Sequence, residues 1–388
     1  MEEWKEYKLG DVCSRLRSGK GIKAESVFKA GKYPVIGGNG VRGYADEPNF
    51  EGQAAIIGRQ GAYCGNVRFF EGEAYMTEHA IVAVGNELAD TRFLACLLSI
   101  MHLGNLSAQS AQPGISVQTL SKQPIRLPSI SYQNKVSAII KSIDDKIEVN
   151  RRINDNLEQQ AQALFKSWFV DFDPFKDAEF VESELGMIPN GWRVGILNEL
   201  GDIVGGSTPS KAKPEYYTND GFAWLTPKDL SISPRKFTSK GEIDITQEGY
   251  ESCSTKLMPK GSVLFSSRAP IGYITIAKND ICTNQGFKSV IPKFAGTAFL
   301  YCFLKESTQE IENKATGSTF KEASGALMKS LPAIIPEKAV LDDFENLLSP
   351  LFYQQEVVEE EITLLSSLRD SLLPRLMSGN LNVSEINV

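Results

Sequence analysis

Histidine and cysteine are scarce in this chain, two and six residues of 388, and neither is placed for chemistry. His79 and His102 are too few and too far apart for a zinc-hydrolase helix. Cys13, Cys64, Cys96, Cys253, Cys282 and Cys302 never form a C-x-x-C pair. Those patterns argue against a metal site and against a disulfide framework. No apolar run reaches the roughly 18 residues of a membrane-spanning helix. Residues 1–10 are charged and lack the apolar core of a secretory signal, so a cytoplasmic protein without membrane attachment is expected. G-x-S-x-G is missing, and no histidine is placed to pair with a nucleophilic cysteine. The nearest approach to a P-loop, at Gly19-Lys20, has serine for its first glycine and glycine after the lysine. Asp144-Asp145-Lys146, the nearest approach to a nuclease carboxylate cluster, falls in a helical pattern and reads as a solvated face.

What is present is an ordinary globular composition, 42% hydrophobic and 23% charged, in a chain long enough for two or three domains. The net charge of −7 is unevenly spread. Residues 1–128 carry +1, 129–171 are neutral, 172–335 carry −1 and 336–388 carry −7. Within the third region, residues 192–335 hold 17 cationic against 14 anionic side chains. A phosphate-binding face is open to the globular parts, although ordinary near-neutral surfaces account for the same counts.

The chain also repeats itself. Leu9-Gly10-Asp11, after Trp4, returns as Leu200-Gly201-Asp202, after Trp192. Residues 54–67, AAIIGRQGAYCGNV, resemble residues 262–275, SVLFSSRAPIGYIT. Each is an apolar strand, a polar turn bearing Arg59 or Arg268, and a second strand. Pro124 and Pro128 fall on Pro332 and Pro336. The offset drifts only from 188–191 at the start to 209 at the arginines and 208 at the prolines. Two half-molecules of about 190 residues account for this.

Long helical patterns begin after Pro128 and Pro336. Ile143, Ile147, Asn150, Asn154, Leu157, Ala161, Leu164 and Trp168 alternate four and three apart. So do Phe344, Leu348, Leu351, Gln355, Val358, Ile362 and Leu365, continuing through Leu372 and Leu376. Such spacing marks a coiled-coil seam. The two helices pair most simply with each other, antiparallel because a whole domain separates them in sequence. At about 40 residues each would be roughly 60 Å long, a rigid spacer. Asn150, Asn154 and Gln355 either fix the register inside the seam or face water with Ile153 turned inward. Pro350 is expected to kink or interrupt the second helix. The fold class is α+β, with boundaries at 1–128 (first domain), 129–171 (first helix), 172–335 (joint and second domain), 336–378 (second helix) and 379–388 (tail).

Two motifs invite catalytic readings. Gly38-x-Gly40-x-x-Gly43 matches the dinucleotide fingerprint literally, but Pro48 follows in a turn-rich run where the motif needs a helix, so a loop between strands is expected. The stretch LFKSWFVDFDPF, residues 164–175, ends on Asp-Pro-Phe. An amino-methyltransferase loop would have a second proline and follow a strand, with a glycine loop for S-adenosylmethionine elsewhere. The stretch reads better as a helix closed by an aromatic plug, with Pro174 preventing continuation.

LFKSWFVDFDPF, the ending LLPRLMSGNL (372–381), and the opening of each half, a tryptophan followed by Leu-Gly-Asp, resemble the specificity subunit of type I restriction–modification systems over essentially the whole chain. The resemblance implies two target-recognition domains joined by two long helices in an antiparallel coiled coil, and a non-catalytic reader of double-stranded DNA. Each domain would contact one half of a split site, and the helices would set the gap. Two modification methyltransferase subunits would dock on the scaffold, and ATP-dependent restriction subunits would join for cleavage. S-adenosylmethionine, ATP and magnesium would belong to those partners, with no cofactor in this chain. YPVIGGNGVRGY has no close match in FAWLTPKDLSIS, so the two half-sites should differ. A structural adaptor tethering two protein-binding domains, and a self-contained methyltransferase, are the rival classes.

For DNA contact the loops of the first half offer Lys20, Asn39, Arg42, Arg59, Gln60, Tyr63, Thr77, Glu78, His79 and Gln112. The second offers Ser207, Thr208, Lys211, Lys228, Ser267, Arg268, Asn284, Gln285, Thr319 and Lys321. Arginine suits guanine O6 and N7, asparagine and glutamine suit adenine N6 and N7, and lysines suit phosphates. Arg59 and Arg268, matched between the halves, suit a shared backbone grip, with a surface arginine or internal ion pair as the rival reading. Glu356, Glu359, Glu360 and Glu361 either face basic patches on methyltransferase subunits or are simply solvated.

Overall fold

The computed structural model describes residues 3–107, 113–317, 321–381 and 383, and the chain divides into two compact units. The first comprises residues 1–147 and 364–388, the second residues 148–363, so both long helices contribute to each unit.

Unit 1 begins with β1 (Lys5–Lys8), β2 (Cys13–Ser18), β3 (Tyr33–Gly37), β4 (Gly40–Ala45), β5 (Phe50–Gly58), β6 (Val67–Met76) and β7 (Ala80–Gly85). Helices α1 (Thr91–Ile100) and α2 (Val117–Ser121), strand β8 (Pro124–Leu127) and helix α3 (Ile130–Phe169) follow. One sheet runs β2-β7-β5-β6-β3-β4, and β1 pairs antiparallel with β8. The two-residue period of a strand explains its core. Ala55, Ile57, Ile81 and Ala83 pack with Phe93, Leu94 and Leu98 of α1. Their neighbours Ala54, Ile56, Ala80 and Val82 pack on the opposite face with Ile36, Phe50 and Met76. The Gly38-x-Gly40-x-x-Gly43 run is the β3–β4 hairpin; Gly40 and Gly43 hold φ of +105° and +154°, which side chains disfavour.

Unit 2 opens with the hairpin of β9 (Phe180–Ser183) and β10 (Gly186–Pro189). Then come β11 (Arg193–Ile196), α4 (Leu197–Leu200), β12 (Gly201–Gly205), β13 (Tyr217–Thr218), β14 (Trp224–Leu225), α5 (Pro227–Ile232), β15 (Phe237–Thr238), β16 (Asp244–Ile245) and α6 (Gln247–Glu251). Strands β17 (Val263–Ser267), β18 (Ile271–Ala277), β19 (Cys282–Thr283) and β20 (Lys288–Pro292) precede α7 (Thr297–Glu306), α8 (Thr308–Lys314) and α9 (Gly325–Lys329). β21 (Pro332–Ile335) and α10 (Lys338–Met377) complete the described elements.

The duplication is topological. The sheet β12-β20-β17-β18-β15 repeats β2-β7-β5-β6 in its first four strands, and β11 pairs antiparallel with β21 as β1 does with β8. Helices α7 and α9 stand where α1 and α2 do in chain order. The halves differ between their second and third shared segments: residues 19–49 carry the β3–β4 hairpin, and residues 206–262 carry a longer mixed insert. That insert produces the drift in repeat offset.

Within each unit the long helices pack antiparallel, as residue numbers rising on one and falling on the other show. In unit 1 the Tyr132 hydroxyl donates to the Leu376 carbonyl at 3.3 Å, and Arg369 reaches Asp144 at 3.1 Å. In unit 2 Asn150 donates to Glu361 at 2.8 Å, Gln355 to the Asn154 carbonyl at 3.3 Å, and Phe165 packs on Phe344. Of the seam positions, Ile147, Asn150, Leu157, Leu348, Gln355 and Val358 are buried, while Ile143, Leu164, Leu351, Ile362 and Leu365 are half-buried. Asn150 and Gln355 are 1% and 0% exposed, so these amides lie inside; Asn154 and Ile153 are both half-buried.

Pro350 does not interrupt α10, which is helical from Lys338 to Met377. Both Pro350 and Asn346, whose carbonyl a residue-350 N–H would have served, are exposed; water can satisfy that carbonyl while the buried Leu348 and Phe352 hold the helix down. The LFKSWFVDFDPF stretch lies wholly within unit 2 and ends the helix in an aromatic cluster. α3 stops at Phe169, Phe172 takes a left-handed conformation (φ 55°), and Asp173–Phe175 form one 3-10 turn. Phe169, Phe172 and Phe175 close around Trp192 with ring centroids 4.9–5.8 Å apart. At the end of α10 in unit 1, Trp4 meets Gly379, Tyr132 and Phe93. The repeated tryptophan is the anchor of each helix end.

Candidate nucleic-acid interface

In unit 1 the loops leaving β2, β3, β5 and β6 are stitched together at one end of the sheet. Gly19 N–H donates to Ala80, Lys20 N–H to Met76, Thr77 N–H to Ile36, Arg59 N–H to His79 and Ile115 N–H to Arg59, all at 2.9–3.0 Å. This gathers Lys20, Arg59, Gln60, Glu78 and His79. Lys20, Asn39, Arg42, Gln60 and Tyr63 are exposed; Arg59, Glu78 and His79 are half-buried. Arg59 donates to the Glu78 carbonyl at 3.4 Å, and His79 Nε2 lies 3.3 Å from the Glu78 carboxylate. Thr77 is fully buried and therefore withdrawn from external contact. Gln112 lies outside the described residues. Arg68, exposed on β6 and unmarked by any local motif, joins the patch by donating to Asn39 at 2.7 Å.

Unit 2 builds its counterpart from the ends of β12, β14, β17 and β19. Ser207 N–H donates to Thr283 and Asn284 N–H to Leu225, both at 3.0 Å. Ser267 N–H donates to Gly286 at 2.8 Å and Ala323 N–H to Ser267 at 2.9 Å. The Thr208 hydroxyl donates to the Gln285 amide oxygen. Thus Ser207, Thr208, Arg268, Asn284 and Gln285 come together. Ser267 is the exception: it is fully buried and its hydroxyl donates inward to Gly286 at 3.2 Å, so it shapes the turn. Lys211 and Lys321 are exposed, with Lys321 donating to the Glu312 carbonyl at 3.2 Å. Lys228 is exposed on α5 and pairs with Glu242 at 3.0 Å. Thr319 lies outside the described residues. Glu322 and Lys288, which nothing in the sequence marks out, surround Arg268: Glu322 lies 3.6 Å from Arg268 and 3.3 Å from Lys288.

A family model described as the type I restriction modification DNA specificity domain matches the chain twice, over residues 1–159 and 189–357. The chain belongs to the type I restriction–modification specificity family. Among curated relatives, the MjaIX specificity subunit of Methanocaldococcus jannaschii is 39% identical over 194 residues, covering 47% of this chain and 45% of that protein. The HindI specificity subunit of Haemophilus influenzae is 27% identical over 330 residues, covering 69% and 71%. The chain thus spans less than half of the first relative and about 71% of the second. Among solved structures, an S subunit of a type I restriction–modification system from M. genitalium has the same fold, with a TM-score of 0.60, 16% identity and coverage of 97% and 96%. Each match takes in one sheet with its loops and the first part of the long helix that follows it, α3 or α10.

Within this specificity-family chain the matched arginines need a correction. Arg59 N–H donates to His79 O, ahead of β7, as Ser267 N–H donates to Gly286 O, ahead of β20. Ile115 N–H donates to Arg59 as Ala323 N–H donates to Ser267. Arg59 is therefore the equivalent of Ser267, and Arg268 the equivalent of Gln60. The 208-residue offset of the repeated prolines and of segments 54–67 and 262–275 gives the same match, and pairing the two arginines by identity is one residue off it. A one-residue slip matters because it turns side chains to the other face.

The acidic stretch of α10 is engaged inside unit 2. Glu359 accepts the backbone N–H groups of Lys236 and Phe237 at 2.8 and 3.1 Å. Lys278 bridges Glu356, at 3.3 Å, and Glu360, and Glu361 accepts from Asn150. Beside them Lys236, its side chain 4% exposed, contacts Glu158 at 2.9 Å, Gln355 at 2.6 Å and the faces of Phe352 and Tyr301. Burial disfavours the ionised Glu158 carboxyl, but Lys236 and Lys305 overcome it and hold its pKa at about 2. Burial draws the Lys236 ammonium below its usual range, against the pull of Glu158. The thiols of Cys13, Cys96, Cys282 and Cys302 are pushed up by burial to about 12, which makes them packing groups. No helix among the described residues is long and apolar enough to cross a membrane.

Proposed function

We propose that this chain is the cytoplasmic, non-catalytic DNA-reading subunit of a type I restriction–modification complex. Each unit reads one half of a bipartite, asymmetric site in double-stranded DNA. The paired helices set the spacing and dock two modification methyltransferase subunits, and restriction subunits join for cleavage. S-adenosylmethionine, ATP and magnesium act in those partners. One observation carries the reading: two sheets that share the order of their first four strands gather polar loop residues at the ends of the equivalent strands β2 and β5 in one and β12 and β17 in the other, and the residues differ between them. That is what a monomer needs to do the work of a dimer on a non-palindromic site, its half-sites about one helical turn apart.

Methylome sequencing of the host with and without the gene tests this, because the modified motif lost with the gene is the specificity. Binding of the purified chain to duplex DNA should weaken steeply as salt rises. Salt-insensitive or absent binding would leave a protein-tethering adaptor as the better account, and labelling of the chain by S-adenosylmethionine would reveal a methyltransferase. For the spacer role, a seven-residue insertion in α3 alone should disrupt assembly, while matched insertions in α3 and α10 should lengthen the gap in the motif. An unchanged gap after matched insertions would refute the ruler.

A further inference from the structure

The segments after β5 and β17 are equivalent in hydrogen bonding yet carry different donors. Gln60 forms an antiparallel bridge with Gly114, and Arg268 forms the same bridge with Glu322. Two residues further on, Ser116 and Ser324 cap α2 and α9 through their hydroxyls. One position in each unit thus presents glutamine or arginine, opposite glycine or glutamate.

Their surroundings fit those identities. Gln60 is exposed and its amide has no side-chain partner among the described residues; Gly114 opposite offers none. The Arg268 side chain is 36% exposed, with Nη1 3.6 Å from Glu322. Glu322 also holds Lys288, 3.3 Å away and 16% exposed, so one carboxylate serves two cations and the cluster keeps a net positive charge. A half-exposed ion pair of this length is weak. It restrains the guanidinium fork without occupying it, leaving its donors for a partner with two acceptors.

We infer that this position is specificity-determining in both units: Gln60 reads an adenine through N6 and N7, and Arg268 reads a guanine through O6 and N7. Glu322 is a positioning residue, acting through Arg268, and Gly114 leaves Gln60 neutral surroundings. The inference rests on the DNA-reading function proposed above.

The test uses the full chain. The preferred duplex of the wild type is selected from a randomised pool, and the dependence of affinity on salt is measured. If the wild type selects no sequence, the DNA-reading function fails and this inference with it. If it does, Gln60→Arg with Gly114→Glu should change one adenine to guanine in one half-site, with preference shifting about ten- to a hundredfold. Gln60→Ala should make the same position indifferent. Arg268→Lys keeps the charge and loses the fork, so it should relax one guanine in the other half-site with the salt slope unchanged, and Glu322→Gln should blur that guanine alone. The half-site belonging to the unaltered unit serves as the folding control. An unchanged selected sequence in Gln60→Ala and Arg268→Lys would overturn the inference. So would an Arg268→Ala variant whose salt slope falls by about one with every base preference intact, because that outcome describes a phosphate grip.

Discussion

Unit 1 and unit 2 solve the same problem with the chemistry moved from one element to another. In unit 1 the first turn of α1 is capped by its own Asp90, which accepts the Phe93 N–H at 2.8 Å and is held by the Ser137 hydroxyl from α3. In unit 2 the cap position of α7 is Gly296, and the carboxylate comes from Glu345 on α10, accepting the Ala298 N–H at 3.1 Å. Ser137 and Glu345 are 208 residues apart, the offset of the repeated prolines, so they occupy the same place on the two long helices. A helix start must find a partner for its N–H groups, but which element provides the oxygen is free to change. The polar clamps differ in burial. Unit 1 joins Arg92, Asp144 and Arg369 with the Asp144 side chain 36% exposed; unit 2 joins Lys236, Glu158, Lys305 and Gln355 with Glu158 19% and Lys236 4% exposed.

That contrast sets the largest expected effect. Glu158→Ala leaves a cation without its carboxylate in a buried setting and should cost about 3–5 kcal/mol. Asp144→Ala removes a partly solvated partner and should cost about 1 kcal/mol or less. Urea unfolding followed by tryptophan emission measures both, Trp4 reporting on unit 1 and Trp168, Trp192 and Trp224 on unit 2. Equal losses would mean that burial does not distinguish the clamps.

Such divergence explains what the sequence could and could not disclose. The helices, their antiparallel pairing and the half-molecule repeat were legible because seven-residue spacing and recurrent Trp and Leu-Gly-Asp signals survive in linear order. The aromatic plug was legible because Pro174 marks an end that the Phe and Trp stripe leads into. Three features were not. The engagement of Glu356, Glu359 and Glu360 depends on Lys236, Phe237 and Lys278, more than seventy residues away in sequence. The bridges that set Gln60 against Gly114 and Arg268 against Glu322 join segments far apart in sequence. The burial of Thr77 and Ser267 follows from their turns folding inward, whereas small hydroxyl residues next to charged neighbours, Glu78 and Arg268, read as exposed.

The cap comparison yields a sharper test of intermediate size. Glu345→Ala should cost about 1–2 kcal/mol, the usual loss for a helix cap. Gly296→Asp alone should also destabilise, because a Cβ at Gly296 would lie 2.2 Å from the Glu345 carboxylate. Combined, the two should restore most of the stability, since Gly296 already has the extended conformation (φ −79°, ψ 174°) of an N-cap and the double variant recreates the arrangement of Asp90. The expected signature is strong non-additivity in a double-mutant cycle. Additive losses would show that the carboxylate of unit 2 cannot be moved back to the helix start, and that the resemblance of the two caps is superficial.

The smallest expected effect is the gentle pH dependence that Glu345 adds above the ordinary carboxylate range. Burial raises the pKa of Glu345 against the lowering influence of the Ala298 and Phe299 N–H groups and Lys338, and burial likewise raises that of Glu359. A carboxyl raised in the folded state binds its proton there before the unfolded chain does. Stability therefore increases as pH falls through the raised values towards the ordinary carboxylate range. Glu158 has the opposite sign: its stabilisation is fully present above its ordinary value of 4.5 and is lost as pH falls towards about 2. The two windows do not overlap, so the urea midpoint of unit 2 should rise gently on acidification from neutrality and then collapse. Glu345→Gln should flatten the rise without moving the collapse, whereas Glu158→Gln should remove the collapse from a less stable protein. A Glu345→Gln variant with the wild-type slope would mean that the carboxylate over α7 is better solvated than its packing implies, and the contrast between a cap carried by the helix and a cap lent by its neighbour would lose its energetic content.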